Sequence, residues 1–205
     1  MGSQLSNLRR PLEWTDFGEP KAGPDPAPGE VATAAKTRVT HSHGMNTELV
    51  PGSSPHRFRL KDDVTVSVEL QKSQMFVNAW VFRRPKKFQD DLLHHEQGHY
   101  DLVALFIRDM FIEIMALKAQ TFPTQTAILD AVNAIFKTFD KAIADVHKPY
   151  DDNTKHGREP DQQKRWDGFI TTAFETPRDP PVLTPDGKLY KVPLLGVLQQ
   201  GGVAI

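Results

Sequence analysis

The chain of 205 residues contains no cysteine. That excludes disulfides, thiol catalysis and thiolate metal ligands, so any zinc would have to rest on histidine and carboxylate. An excess of charge is lacking too. Twenty-five basic and 26 acidic residues give a formal net charge of -1, which leaves no electrostatic case for nucleic acid or an anionic membrane as partner. No apolar run is long enough to span a bilayer. The densest, Leu102 to Leu117, is interrupted by Arg108, Asp109 and Glu113 and reads as a buried helix. Met1 to Leu12 has no apolar core of the kind a signal peptide needs. The expectation is a soluble chain, cytoplasmic by default or exported if a signal has been removed. No internal repeat is visible.

What is present suffices for one domain with a real core, since 39% of the residues are hydrophobic. Residues 1–10 read as a flexible polar tail. Leu12, Trp14 and Phe17 suit a short strand or an anchored extended piece. Residues 18–30, with four prolines and three glycines, read as a loop. Residues 31–42 could form a strand, and 44–55 a further loop. Phe58 and Leu60, then Val64, Val66, Val68 and Leu70, alternate with polar residues, the period of a half-buried strand. Met75 to Phe82 reads as another strand. A long helix is expected from about Asp90 to Gln120, a second from about Thr124 to His147 ended by Pro149, and a third from about Pro160 to Glu175. A single catalytic domain over 11–176 would then leave 177–205 as a tail. That tail would hold a hairpin turn at Thr184-Pro185-Asp186-Gly187 and an apolar end that could pack on the core or lie in the active-site groove.

The chemistry concentrates in His95-Glu96-Gln97-Gly98-His99, an H-E-x-x-H. Four residues apart on a helix, His95 and His99 share a face and can offer imidazoles to one metal ion. Glu96 lies beside the first ligand, where a carboxylate can accept a proton from activated water. Two protein ligands do not complete a catalytic zinc site, which takes three and leaves the fourth position open. Helix geometry excludes the nearest candidates, because His94 lies about 140° and Asp101 about 200° around the helix from His99. The cluster Tyr150 to Arg158 is the next place to look. His156, followed by Gly157, leads there, with Asp151, Asp152, Glu159 and His147 as alternatives. For Asp151 and Asp152 a solvated loop position is the favoured reading. The Tyr150 phenol could hydrogen-bond an oxyanion. His41, His43 and His56 read as surface residues.

Several blocks together resemble a bacterial family of zinc-dependent proteases long catalogued as a domain of unknown function. They are L-x-W-x-D-F at Leu12 to Phe17, a Trp-bearing strand at Trp80-Val81, the extended motif Leu93 to Asp101, and Y-D-x-x-T-x-H-G at Tyr150 to Gly157. The resemblance covers about residues 11–170. It implies an α+β, zincin-like metalloprotease domain, a small mixed or antiparallel sheet on about three helices with H-E-x-x-H on the first long one. It also implies one zinc per chain, His156 as third ligand, and a peptide or protein as substrate. The mechanism expected is peptide hydrolysis with Glu96 as general base, Tyr150 at the oxyanion, and the strand Val64 to Leu70 as the edge that pairs with substrate. The competing expectation is an inactive scaffold that binds a partner and keeps a structural metal.

Overall fold

A computed structural model describes residues 2–26, 33–178 and 190–205. In chain order its strands are β1 (Gln4–Ser6), β2 (Ala35–Lys36), β3 (Val39–Gly44), β4 (Thr47–Leu49), β5 (Phe58–Leu60), β6 (Thr65–Leu70) and β7 (Phe76–Val77). The helices are α1 (Lys86–Ala116), α2 (Gln125–Thr154), α3 (Pro160–Glu175) and α4 (Leu194–Gln200). The architecture is α+β. Among the described residues no helix is long and apolar enough to cross a membrane.

The alternating valines of β6 point Val66 and Val68 into the core and Thr65 outward, as a half-buried strand requires. The strand is not an edge. It lies at the centre of a three-stranded sheet of order β1-β6-β3, parallel to β1 and antiparallel to β3. This corrects two expectations together. Residues 4–6 are a paired strand and not part of a tail, and the edges belong to β1 and β3. Beyond a one-turn helix at Lys72–Gln74, β7 continues against β2, so residues 35–44 form one interrupted outer strand. The strand expected over 75–82 is only two residues long before a 3₁₀ turn takes over at Ala79–Arg83. Trp14–Phe17 is likewise a 3₁₀ turn and not a strand, and the loop expected at 44–55 contains β4, paired with β5.

α1 is the axis of the molecule. Every residue from Leu102 to Phe111 is buried, because the helix is covered on both sides. On one side it packs with Val66, Val68 and Ile128 through Val103 and Ile107. On the other, Leu102, Leu105 and Phe106 meet Val146, Tyr150, Trp166, Leu194 and Leu198. The apolar carboxyl end is therefore a helix built into this second core, neither a groove-filling segment nor a loose end. The expected turn at 184–187 lies outside the described residues.

α2 runs well past the expected stop. Pro149 sits inside it. A proline there removes one backbone donor, the one that would serve the Asp145 carbonyl, and the buried side chains of Val146, Tyr150 and Thr154 hold the helix on either side of it. Tyr150 and Asp151 thus ride on a helix rather than a loop. The chain then turns sharply through Lys155, His156 and Gly157, all with positive φ (50°, 56° and 78°). At Gly157 a Cβ would come within 2.9 Å of the His95 Cβ, so glycine lets this turn close directly onto α1.

Candidate metal centre

α1 and the last turns of α2 cross where His95, His99 and Tyr150 meet. Gly98 makes the approach possible, since a Cβ there would overlap the Tyr150 hydroxyl. His95 is fully buried and His99 nearly so. Their Nε2 atoms lie 3.1 and 3.0 Å from one oxygen, Oδ1 of Asp151. Nδ1 of His156 lies 3.2 Å from the same atom. Two imidazole nitrogens from α1 and one from the turn therefore surround a single carboxylate oxygen presented by α2.

Among the described residues, His95, His99 and Asp151 are the group whose donor atoms all lie within 4.8 Å of one another. Zinc bonds of about 2.0–2.1 Å in a tetrahedron would put neighbouring donors about 3.3 Å apart. Imidazole and carboxylate are also the donors such an ion takes when no thiolate is available. The residues present fit the ion on both counts.

Residues 20–157 match a family described as "Bacterial protein of unknown function (DUF922)". This chain belongs to that family. The stretch matching DUF922 contains all four converging side chains and stops at Gly157, one residue past His156. No curated protein and no solved structure matches the chain.

The electrostatics sort the donors. Burial resists ionisation of Asp151, but hydrogen bonds from His156, His95 and His99 outweigh it and hold the carboxyl well below the usual carboxylate range. His156 is raised by its hydrogen bond to Asp151, whereas burial lowers His95 despite the same partner. The half-exposed His156 and the buried His95 are therefore shifted in opposite directions beside one carboxylate. His147 stands behind His99, the two Nδ1 atoms 2.9 Å apart. Burial and the neighbouring His99 push it down to about 4.

The structure brings the expected residues together with two differences of role. Asp151, read as solvated, sits at the focus of the cluster. Tyr150, expected at an oxyanion, is fully buried behind the site. Its hydroxyl donates to the His95 carbonyl at 3.0 Å and accepts from Gln163 at 2.8 Å, and its ring stacks on His95 at 4.7 Å. With its hydroxyl engaged in this way it supports His95 and has no open face toward a substrate. Glu96 is buried, and its Oε2 accepts the Thr37 backbone N–H at 2.8 Å, which ties the carboxylate to the outer strand between β2 and β3. Asp152 pairs outward with Lys148.

The rest of the motif serves the scaffold. Gln97 accepts the Leu12 N–H at 2.7 Å and donates to the Arg10 carbonyl and to Asp101, each at 3.0 Å. Tyr100 donates to the Asn7 carbonyl. The H-E-Q-G-H-Y block thus fastens the amino-terminal segment to α1 while presenting its histidines on another face.

Proposed function

We propose that this chain is a zinc-dependent peptidase of the zincin type, acting on peptides or proteins. One observation carries the proposal: two buried imidazoles of an H-E-x-x-H helix and a carboxylate from a second helix converge at zinc spacing, with the Glu96 carboxylate in the same motif. His95 and His99, completed by Asp151 or His156, would hold the ion. Zinc bound there would supply a Lewis acid for the scissile carbonyl and bring the pKa of water toward neutrality.

The remaining work falls to the chain itself. Glu96, anchored through one oxygen by Thr37, takes a proton from the attacking water and returns it to the leaving amine. Burial of His95 and His99 keeps competing water from their nitrogens. An extended substrate would add to the side of residues 35–44 that pairs with no strand among the described residues, beside the tie to Glu96, in place of the Val64 to Leu70 strand.

His156 motivates one competing reading. If Asp151 and His156 both bind, four protein donors close the site, and a closed site marks a structural metal in a binding module. Metal content of wild type, Asp151→Ala and His156→Ala, measured by mass spectrometry beside digestion of a peptide library, separates the two. A catalytic site gives about one zinc per chain, loses it sharply in one of the two variants, and cleaves. Glu96→Gln should then keep the metal and lose turnover. Cleavage surviving in Glu96→Gln would remove that residue as the base, and zinc without any cleavage would favour the module.

A further inference from the structure

We propose that Thr37, between β2 and β3, is a further catalytic residue of the peptidase reading above, on which this assignment rests. Its buried hydroxyl holds the attacking water beside Glu96.

The backbone places the residue. Along an extended strand, successive residues turn their N–H and C=O groups to opposite sides. The Ala34 carbonyl accepts from the Asn78 N–H and the Arg38 carbonyl from the Gln71 N–H, each at 2.9 Å. Even-numbered residues of this stretch therefore turn toward β7 and β6. Odd-numbered ones turn to the side that pairs with no strand among the described residues. The Thr37 N–H lies on that side, and there it meets Oε2 of Glu96 at 2.8 Å. The general base thus hangs from the backbone in the lane that an extended peptide would enter.

Side chains alternate as well. Ala35, Thr37 and Val39 are buried, whereas Lys36 and Arg38 are exposed. Ala35 and Val39 join the core against α1, so Thr37 faces the same helix. Its residue is only 8% exposed, and its Oγ1 has no hydrogen-bond partner among the described residues. A buried hydroxyl in that state lowers stability, and valine would fill the same space without the loss. Nδ1 of His41 and Oε1 of Gln71 are unpartnered too. Of the three residues, only Thr37 is bonded to a member of H-E-x-x-H.

Glu96 is anchored through Oε2, which leaves Oε1 to act. A water between Oε1 and the Thr37 hydroxyl answers both groups. It gives one hydrogen to Glu96 and the other to Oγ1, which keeps a lone pair for it whichever way the hydroxyl hydrogen turns. Two fixed contacts leave the water's own lone pairs for the scissile carbonyl carbon. As the oxygen–carbon bond forms, the proton at Glu96 passes to that carboxylate, and the hydrogen at Thr37 stays on the oxygen. The carbon–nitrogen bond then breaks, and Glu96 returns its proton to the leaving amine.

Two substitutions in the full, zinc-supplied chain test this, assayed on the peptides that the library selects. Thr37→Val removes the hydroxyl but keeps the shape and the N–H. It should lower kcat about 10-fold with KM unchanged, while the melting temperature holds or rises. Thr37→Ser keeps the hydroxyl and loses a methyl group, so it should keep most of kcat and melt lower. Zinc content should be equal in all three proteins. Amide hydrogen exchange of the metal-free chain needs no turnover. Thr37 should exchange more slowly than Val39 and His41, and Glu96→Ala should reduce that protection. Full kcat in Thr37→Val would overturn the proposal and leave the peptidase reading standing. A fall of kcat in step with melting temperature in both variants would also overturn it, as the mark of a packing role. Thr37 exchange as fast as that of Val39 would remove the grip on Glu96. A wild type that cleaves nothing would remove the peptidase reading and this residue's role together.

Discussion

α1 buries ionisable side chains at two places, and the two are built differently. Near its carboxyl half, Arg108 and Asp109 are almost wholly enclosed, and each is answered by fixed partners. Arg108 donates to Asp109 at 2.6 and 2.8 Å and to the carbonyls of Ala173 and Val192, while Asp109 also accepts the Leu194 N–H at 2.8 Å. Near the amino half, His95, His99 and His156 turn their nitrogens toward one oxygen and compete for it. A closed set of donors and acceptors ties α1 to α3 and to the start of α4. An over-supplied focus of nitrogen donors is what a cation would complete. The contrast separates a structural buried charge from a candidate site without reference to any motif.

The comparison can be broken most sharply at Arg108. Arg108→Met leaves Asp109 buried without its counter-charge, and urea unfolding should show a loss of about 3–5 kcal/mol, with the metal content of the folded fraction unchanged. A loss under about 1 kcal/mol would mean that the pair behaves as a surface ion pair. A smaller effect is expected at the other end of the helix. Gly98→Ala drives a methyl into the Tyr150 hydroxyl and should cost about 1–3 kcal/mol, with weaker metal retention because Tyr150 supports His95. Gly168→Ala on α3 meets open space and should stabilise by about 0.5–1 kcal/mol, so equal effects at the two glycines would remove the packing argument.

The mildest test uses pH. Burial pushes Asp101 up to about 6, above the ordinary carboxylate range, with the Gln97 hydrogen bond opposing it. The folded chain therefore keeps this proton longer than the unfolded one. The resulting stability is complete below the unfolded value and is lost as pH rises through about 6. Melting temperatures from acid to neutral pH should decline less steeply in Asp101→Asn than in wild type, and parallel curves would contradict the assignment.

How far the site was legible depended on whether its geometry was local. His95, Glu96 and His99 lie within one and a half turns of a single helix, so their spacing carries their juxtaposition. Asp151 was hidden by Pro149, which looks like a helix end because proline breaks an intrahelical bond. The signal that could have recovered it is the helical spacing of His147 with Asp151 and of Tyr150 with Thr154, two adjacent i, i+4 pairs that continue the stripe of α2 through the proline. Gln163 left no signal at all, since one amide on a helix face is indistinguishable from a solvated one until its partners are known. The strand character of β6 was plain from its alternation, but its partners were not. β1 pairs with it in parallel from the far amino end, and local periodicity holds no information about that neighbour.

By itself the sequence determined a few elements and the paired imidazoles: the long buried helix, the half-buried strand, the Pro160 start of α3, and two histidines one turn apart. Each follows from interactions within a few residues along the chain. Tertiary structure alone decided that Asp151 faces both histidines, that Tyr150 turns inward to hold His95, that β6 is central and that the carboxyl end becomes α4 in the second core. Those outcomes depend on which surfaces meet when α2, α3 and α4 close over α1, and burial leaves each polar group there only the partners that this packing provides.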